Sequence, residues 1–316
     1  MRCLYCYQPL SEKEIDFHAS CSKKIFGFAT PPELPYDESQ MKDLALQVIQ
    51  SQMTVTGVQP KLSLNLADGN SKKEPKRFTI VGLWGNYILK PPAEKYPQVP
   101  EVEDLTMHLA EIAKINVVPH ALIRLKSGQL AYITKRIDRV DKQKLHMEDM
   151  CQLTEKQTEH KYLASYEQVA KAIVKHSMNP GLDKVNFAEI LLFSFLTGNA
   201  DMHLKNFSLI YDPTNGPVLS PAYDLLSTVL VNPKDDEDLA LNLNGRKKKI
   251  NRKDFESAFS TMQLDVKQKT NIFAKMEKVR NKWIDFIQIS FLSTDFKVKY
   301  IQLINERFDR LKYEGS

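Results

Sequence analysis

The sequence predicts an α+β fold with a small sheet-containing lobe, residues 1–138, followed by a mainly helical lobe, residues 139–316. Before residue 138, short runs alternate apolar and polar residues, as strands with one buried face do. After about residue 145, apolar residues recur at three- and four-residue steps, which is typical of helices. The 316 residues, 42% hydrophobic and 26% charged, are enough to form two lobes of a folded protein.

Strands are predicted at five places in the first lobe. Leu62, Leu64 and Leu66 alternate with polar residues and mark the first of these strands. The other predicted strands are runs rich in β-branched and aromatic residues, and they cover residues 78–81, 87–89, 117–125 and 130–133. Between the third and fourth strands, one helix is predicted by the apolar stripe Val102, Leu105, Leu109 and Ile112.

Helices dominate the second lobe. Ser165 and Gln168 form a candidate capping box at the start of one helix. Residues 187–196 are apolar on nearly all sides, which predicts a buried central helix. A further stripe over residues 273–286 predicts a helix near the C-terminus.

Charge and hydropathy narrow the class of protein only slightly. Forty-four Lys and Arg against 39 Asp and Glu leave a formal charge of +5, which does not identify a partner by itself. The basic run Arg246–Lys249, with Arg252 and Lys253, is more often a solvated turn than a surface for nucleic acid or an acidic partner. No apolar run approaches the roughly 20 residues of a membrane span, and the first residues do not form a secretory signal. We therefore expect a cytoplasmic protein without a membrane partner.

Three of the four cysteines lie within the first 21 residues. Cys3 and Cys6 form a Cys-x2-Cys pair, and His18 and Cys21 follow, which is the ligand type and spacing of a small zinc knuckle. The alternative is that these residues are free cysteines packed as small hydrophobic side chains. If zinc binds at residues 3–21, its role is structural.

A polar segment follows the buried central helix and contains candidate catalytic residues. Asp201 and Asn206 have the D-x4-N spacing of a phosphoryl-transfer loop, in which the carboxylate receives a hydroxyl proton and the amide oxygen binds Mg²⁺. Asp224 supplies a second acid that could bind the ion between the nucleotide phosphates. Upstream, Lys90 ends a predicted strand, where it could neutralise phosphates, and Glu103 could orient it.

Each of these residues also has an ordinary structural interpretation. Lys90 could be a solvated strand end, Glu103 could favour the helix dipole, and Asp201, Asn206 and Asp224 could be turn residues. Their joint occurrence, in the order that phosphoryl transfer requires, favours the catalytic interpretation. Motifs for dinucleotide binding, Walker-type nucleotide hydrolysis, zinc proteolysis and serine hydrolysis are absent from the sequence.

With these residues in place, the sequence resembles the HipA-like serine/threonine kinases, the toxins of bacterial toxin–antitoxin modules. The matching segments are residues 56–62, 85–91, 134–139, 146–152, 198–207 and 220–227. The resemblance implies a bilobal protein-kinase-like fold and ATP-dependent phosphorylation of a protein serine or threonine.

The resemblance also implies a role for each residue at a matching position. Asp201 is the expected general base, Asn206 and Asp224 are the expected Mg²⁺ ligands, and Lys90, oriented by Glu103, is the expected phosphate-binding lysine. The other residues expected at the ATP site are His203 and Lys205 against the phosphates, Lys135, Arg136 and Ile137 at the adenine hinge, and Tyr223.

Residues 54–61 match the phosphate-covering loop of the family. Thr56, Gly57, Val58, Gln59 and Lys61 are expected to contact ATP, although this loop has fewer glycines than that of other kinases. Thr54, with Thr56 as a second candidate, occupies the place of the family's autophosphorylated serine. A phosphate there adds about −1.5 to −2 charge, which we expect to inhibit nucleotide binding. Without the resemblance, the interpretation of both threonines as solvent-facing strand residues is as good as their interpretation as phosphorylation sites.

The resemblance further suggests partners. About 50 residues precede the phosphate loop, so the chain resembles the short, HipT-like variant without the extra N-terminal subdomain. A small companion protein is then expected to replace that subdomain, together with a helix-turn-helix antitoxin through which DNA is bound only indirectly. The expected substrate is a translation component such as an aminoacyl-tRNA synthetase.

Two other functions stay open at this point. The Asp-x-His-x-x-Asn loop also resembles that of lipid and aminoglycoside kinases, so the substrate could be a small molecule. A catalytically silent scaffold that binds a repressor and DNA through the basic run is the non-enzymatic alternative.

Overall fold

The computed structural model describes residues 1–41, 61–67, 75–81, 84–140, 143–234 and 236–312, which divide into two units. The first unit consists of Met1–Asp104, Val118–Ile137 and Ile289–Phe291. The second consists of Leu105–Val117, Asp138–Gln288 and Leu292–Ser316. The chain passes from the first unit to the second between Ile137 and Asp138. Two short segments depart from this division, because Leu105–Val117 belongs to the second unit and Ile289–Phe291 belongs to the first.

The first unit contains an antiparallel sheet of five strands. These are β1 (Leu62–Ala67), β2 (Arg77–Val81), β3 (Tyr87–Lys90), β4 (His120–Arg124) and β5 (Leu130–Lys135), in the order β2-β1-β3-β5-β4. The five predicted strands are confirmed. The strand predicted from Val117 begins later, at His120, because Val117 forms an isolated bridge with Ala222.

Two helices of the first unit bear on the sequence-based predictions. Helix α1 (Ala19–Phe26) is absent from the sequence-based prediction, and it ends at Gly27, whose φ of 93° few other residues adopt. Helix α2 (Val99–Ile112) carries the predicted apolar stripe, and Val102, Leu105 and Leu109 are fully buried. The stripe therefore forms the buried face of α2, and the boundary between the two units falls within this helix.

The second unit is mainly helical. Its helices are α3 (Met150–Leu153), α4 (Tyr166–His176), α5 (Pro180–Leu196), α6 (Thr228–Val231), α7 (Arg252–Thr261), α8 (Val266–Gln288) and α9 (Thr294–Arg310). Its strands are β6 (Arg139–Val140), β7 (Gln143–Lys144), β8 (Met147–Asp149), β9 (Ser208–Asp212) and β10 (Gly216–Leu219). The strands form an antiparallel β6-β7 pair and a three-stranded sheet in the order β10-β9-β8.

The helical predictions for the second unit are confirmed. Ser165 and Gln168 form the predicted capping box at the start of α4. Helix α5 buries nearly all of its side chains after Phe187, as a central helix does. Within α8, Trp283 is fully buried and its indole N–H donates to the carbonyl oxygen of Leu109 at 2.8 Å. Across the described ranges, no helix combines the length and apolar content needed to cross a bilayer.

A buried carboxylate connects the segment before α7 with α9. Asp238 accepts hydrogen bonds from the guanidinium groups of Arg307 and Arg310 and from the backbone N–H of Ile250. Burial alone raises the pKa of Asp238, but the hydrogen bond from Arg310 and the charge of Arg307 outweigh it. The pKa of Asp238 in the folded chain is therefore below its ordinary value.

We expect the acid sensitivity of the fold to depend on Asp238. Because its pKa is depressed, its stabilising contribution is present above the ordinary aspartate pKa and is lost as the pH falls through the folded-state value. The free energy of unfolding of the wild type should decline with falling pH in this acidic window, and that of Asp238→Asn should decline less. Urea unfolding at a series of pH values tests this, and equal slopes for the two proteins would contradict it.

Candidate functional site

The segment after α5 turns sharply at Gly198. Its φ of 68° is in the left-handed region, and a Cβ atom there would lie 2.7 Å from Cδ2 of Leu303. Asn199 Oδ1 then accepts the backbone N–H of Asp201 at 3.2 Å, which closes an Asx turn. Gly198 and Asn199 therefore form the turn that positions Asp201 close to the end of the buried helix.

Asp201 is exposed, and its carboxylate accepts a hydrogen bond from the hydroxyl group of another side chain. The phenol of Tyr162 donates to Oδ1 of Asp201 at 2.7 Å. A general base must accept a hydrogen bond from the hydroxyl whose proton it removes, at about this distance. The hydrogen bond from Tyr162 shows that a hydroxyl group can reach this carboxylate, as the predicted catalytic role requires. Tyr162 could not be recognised from the sequence, because nothing in its local pattern distinguishes it from other loop tyrosines.

Asn206 ends a short 3-10 helix, Leu204–Asn206, and is largely buried. Its Oδ1 accepts the backbone N–H of His203 at 3.2 Å, which fixes the side chain close to the loop backbone. An amide oxygen has two acceptor positions, so the second can serve as a ligand for a cation. This arrangement is compatible with the predicted role of Asn206 as a Mg²⁺ ligand.

His203 is buried, and the charges of both acids of the predicted site act on its ring. Burial lowers the pKa of His203 to about 4, although the charges of Asp201 and Asp224 act on its ring in the opposite direction. The ring is therefore neutral near pH 7, and both carboxylates lie within electrostatic reach of it. In the part of the chain that the structure describes, Nδ1 of His203 is buried without a hydrogen-bond partner. A buried nitrogen of this kind can form a hydrogen bond with a polar ligand.

Lys205 is paired with an acid that the sequence analysis did not single out. Its Nζ lies 2.6 Å from Oδ2 of Asp149, and Asp149 also caps α3 by accepting the N–H of Gln152. The capping-box spacing of Asp149 and Gln152, within the matching segment 146–152, was the signal available in the sequence. A contact between Lys205 and phosphate stays a prediction, and it has to compete with this ion pair.

Asp224 lies in the loop between β10 and α6. It is half-buried and has a φ of 55°, an uncommon conformation for a residue with a side chain, and such conformations cluster at functional sites. The neighbouring Tyr223 directs its phenol to the carbonyl oxygen of Lys205, at 3.0 Å, and to the hydroxyl of Ser208, at 2.5 Å. Burial raises the pKa of Tyr223, so the phenol stays protonated and continues to donate. Tyr223 thereby ties the Asp224 loop to the segment that carries Asn206.

Two more hydrogen bonds join the same loops. The backbone N–H of Ala200 donates to Oγ1 of Thr228 at 2.8 Å, and the N–H of Val229 donates to the carbonyl oxygen of Gly198 at 3.1 Å. With the bonds of Tyr223, they hold the loop of Asp201 and Asn206 beside the loop of Asp224. The second unit therefore places the two loops that carry these residues next to each other, and the convergence of the three side chains on one ligand stays a prediction.

Lys90 and Glu103 are paired within the first unit. Nζ of Lys90, at the end of β3, lies 2.5 Å from Oε1 of Glu103 on α2, and both side chains are almost completely buried. The ammonium group also lies 5.4 Å from the centre of the Tyr132 ring. A lysine oriented by a glutamate is the arrangement that the sequence analysis expected. Its contact with a nucleotide stays a prediction.

Two of the predicted hinge residues form backbone hydrogen bonds within the first unit. The N–H of Lys135 donates to the carbonyl oxygen of Pro119 at 2.9 Å, and the N–H of Arg136 donates to that of Asn86 at 2.8 Å. An adenine base would then use the carbonyl groups of this segment or the N–H of Ile137. Lys61, just before β1, is exposed. The other predicted loop residues, Thr54, Thr56, Gly57, Val58 and Gln59, lie outside the described residues.

The basic run is ion-paired in the structure. Lys248 lies 2.6 Å from Asp236, and Arg252 lies 2.8 Å from Glu256. Lys247 and Arg246 have longer contacts, with Glu237 at 3.7 Å and with Asp254 at 3.5 Å. These acids neutralise much of the local charge, which favours the solvated-turn interpretation over a nucleic-acid surface.

Comparison with known proteins identifies relatives. Residues 53–283 match the family model for the HipA-like C-terminal domain. A Haemophilus influenzae protein named "Putative kinase" is 33% identical over 208 residues, which are 62% of this chain and 58% of that protein. A Sinorhizobium fredii protein of similar name is 34% identical over 239 residues, 72% of this chain and 57% of that protein. The chain thus spans less than two thirds of the length of these curated relatives.

Solved structures show the same fold. The HipA chain of the Shewanella oneidensis complex of HipA, HipB and operator DNA matches with a TM-score of 0.66 and 23% identity, over 84% of this chain and 70% of that chain. The Helicobacter pylori proinflammatory kinase CtkA matches with a TM-score of 0.55 and 17% identity, over 79% and 93% of the two chains. The predicted α+β, protein-kinase-like fold is confirmed.

Proposed function

Because this chain belongs to the family of proteins with a HipA-like C-terminal domain, we propose that it is an ATP-dependent serine/threonine protein kinase. The observation that carries the proposal is the hydrogen-bonded pairing of the loop of Asp201 and Asn206 with the loop of Asp224. Phosphoryl transfer needs one carboxylate for the acceptor proton and oxygen ligands for the metal, in fixed relative positions.

The residues of the second unit divide the chemistry between them. Asp201 accepts the proton of the acceptor hydroxyl. Its hydrogen bond with the phenol of Tyr162 supports this role, because that phenol occupies the kind of position that an acceptor hydroxyl would take. Asn206 Oδ1 and the Asp224 carboxylate supply the hard oxygen ligands that Mg²⁺ prefers. When bound, the ion neutralises charge on the phosphates. The buried, neutral His203 offers Nδ1 to a polar ligand beside these groups.

The first unit contributes the expected nucleotide contacts. Lys90 is held in one orientation by Glu103 and would neutralise phosphate charge. Lys135, Arg136 and Ile137 would bind adenine through backbone groups, and Thr56–Lys61 would cover the phosphates.

The biological role that we propose is that of a toxin. The Shewanella oneidensis relative named "Serine/threonine-protein kinase toxin HipA" is 29% identical over 195 residues, 55% of this chain and 43% of that protein. The solved complex of that protein contains HipB and operator DNA. By analogy, we propose a helix-turn-helix antitoxin as partner and indirect contact with DNA, together with a small companion protein. We propose a translation component such as an aminoacyl-tRNA synthetase as substrate.

Autophosphorylation is part of the same proposal. Thr54 or Thr56 would accept phosphate and thereby inhibit nucleotide binding through added negative charge. Phosphopeptide mapping after incubation with Mg²⁺ and ATP tests this. Modification of either threonine supports it, and a complete digest in which both threonines are unmodified contradicts it.

One experiment separates the kinase from its alternatives. The purified chain is incubated with ATP labelled in its γ-phosphate, Mg²⁺ and a bacterial lysate. A labelled protein band that is absent with Asp201→Asn supports a protein kinase. Label confined to small molecules would indicate the small-molecule kinase, and no Asp201-dependent label would indicate the silent scaffold.

A further inference from the structure

The N-terminal cysteines and His18 converge in the folded chain. The three thiol sulfurs of Cys3, Cys6 and Cys21 and one imidazole nitrogen of His18 all lie within 4.8 Å of one another. Cys3 and Cys21 are buried, and Cys6 and His18 are partly exposed. All four cysteines of the chain are free thiols, so no disulfide accounts for the cluster.

The separations within the cluster fit one tetrahedral ion. Nδ1 of His18 lies 3.4 Å from the sulfur of Cys6 and 3.7 Å from that of Cys21. A tetrahedral Zn²⁺ with bonds of about 2.3 Å to sulfur and about 2.0 Å to nitrogen separates such atoms by roughly 3.5 Å. The cluster therefore has the dimensions of a zinc site.

The groups around the cluster orient its ligands. Nε2 of His18 lies 3.0 Å from the carbonyl oxygen of Pro9, so Nε2 carries the proton and Nδ1 presents its lone pair to the sulfurs. The backbone N–H groups of Tyr5, Cys6 and His18 are directed at the sulfur of Cys3. Amide donors around a ligand sulfur are the outer contacts that tune a metal site.

The backbone also bends to form the Cys-x2-Cys loop. Tyr7, directly after Cys6, has a φ of 62°, although it is a bulky, fully buried residue. Such a conformation is costly and persists only where the surrounding structure imposes it. Here it returns the chain so that the N–H of Tyr7 donates to the carbonyl oxygen of Cys3 at 2.9 Å, and both cysteines of the pair face one point.

We propose that Cys3, Cys6, His18 and Cys21 bind one Zn²⁺ ion as a structural site. Three thiolates and one imidazole complete a four-coordinate shell and leave no position for a substrate or water. The site is therefore structural, and it is independent of the proposed kinase function.

The bound ion would hold the N-terminal segment against the sheet and α2. The carbonyl oxygen of Leu4, between the first two ligands, accepts the N–H of Leu122 in β4 at 3.1 Å. The phenol of Tyr7 donates to Asp104 on α2 at 2.7 Å. Residues between and beside the ligands thus anchor β4 and α2, so loss of the ion should loosen this part of the first unit.

The test is the zinc content of the full-length chain, purified without chelator after expression in zinc-supplemented medium. We expect one zinc per chain by elemental analysis, and little or none in Cys6→Ala and Cys21→Ala. Cys151→Ala is the matched control, because Cys151 is a buried free thiol on α3 outside the cluster, and it should retain one zinc. Wild type without zinc, or zinc that survives both ligand substitutions, would overturn the proposal.

A second measurement guards against ligand variants that fail to fold. Cobalt added to the metal-free wild type should give the thiolate charge-transfer bands and the intense visible bands of a four-coordinate cobalt ion. Removing the metal from wild type should lower its melting temperature by roughly 5 °C or more, and added zinc should restore it. Absence of the four-coordinate spectrum, or a melting temperature that does not change with metal, would overturn the proposal.

Discussion

Replacing Asp201 with asparagine should reduce the rate of phosphoryl transfer about a thousandfold, within the range that a general base contributes. Asparagine has nearly the same shape, and its amide oxygen can still accept the hydroxyl of Tyr162, but it cannot take up the acceptor proton. The affinity for ATP should change little, because Asp201 is not among the proposed metal ligands. Steady-state kinetics with labelled ATP measures both quantities.

The control for this prediction is Asp295→Asn. Asp295 is an exposed aspartate at the start of α9, 2.6 Å from Lys299, and its replacement should leave the rate unchanged. If Asp201→Asn were as active as Asp295→Asn, Asp201 would not be the base.

Replacing Lys90 with methionine should destabilise the fold by about 3–5 kcal/mol and remove phosphoryl transfer. Glu103 is 1% exposed, so the substitution removes a positive charge that directly contacts a buried carboxylate, and breaking a buried ion pair from one side is costly. Urea unfolding measures the loss of stability, and labelled ATP measures the loss of activity.

The double variant Lys90→Met with Glu103→Leu separates these two effects. Apolar residues of similar size often replace a buried ion pair without net loss of stability, so the double variant should regain most of the lost stability. It should stay inactive, because the phosphate-binding charge is still missing. A single variant as stable as wild type would contradict the structural role, and an active double variant would contradict the catalytic role.

The fold could be predicted where local pattern and burial agree. The stripe of Val102, Leu105 and Leu109 became the buried face of α2, because helical spacing dictates which side chains share a face. The capping box of Ser165 and Gln168 started α4 as expected, because its hydrogen bonds are local. Helix α1 was not predicted, because it is only eight residues long and its buried residues, Cys21, Ser22, Ile25 and Phe26, form too short an apolar stripe.

The candidate site could be predicted in its residues but not in its contacts. The spacing of Asp201 and Asn206 and the order of the other residues were visible in the sequence. The hydrogen bonds of Tyr162 and Thr228 were not, because they join segments 39 and 28 residues apart whose proximity only the tertiary fold determines. The sequence also left zinc and free thiols equally open, and the convergence of the four ligand atoms now favours zinc.

The most direct test of the central claim is a calorimetric titration of the chain with a non-hydrolysable ATP analogue and Mg²⁺. The claim is that Asn206 and Asp224 hold the metal ion of one bound nucleotide. The expected result is one binding site per chain, with affinity at least about tenfold weaker in Asp224→Asn. Wild type that does not bind the analogue, or an Asp224→Asn variant that binds it as tightly as wild type, would contradict the claim.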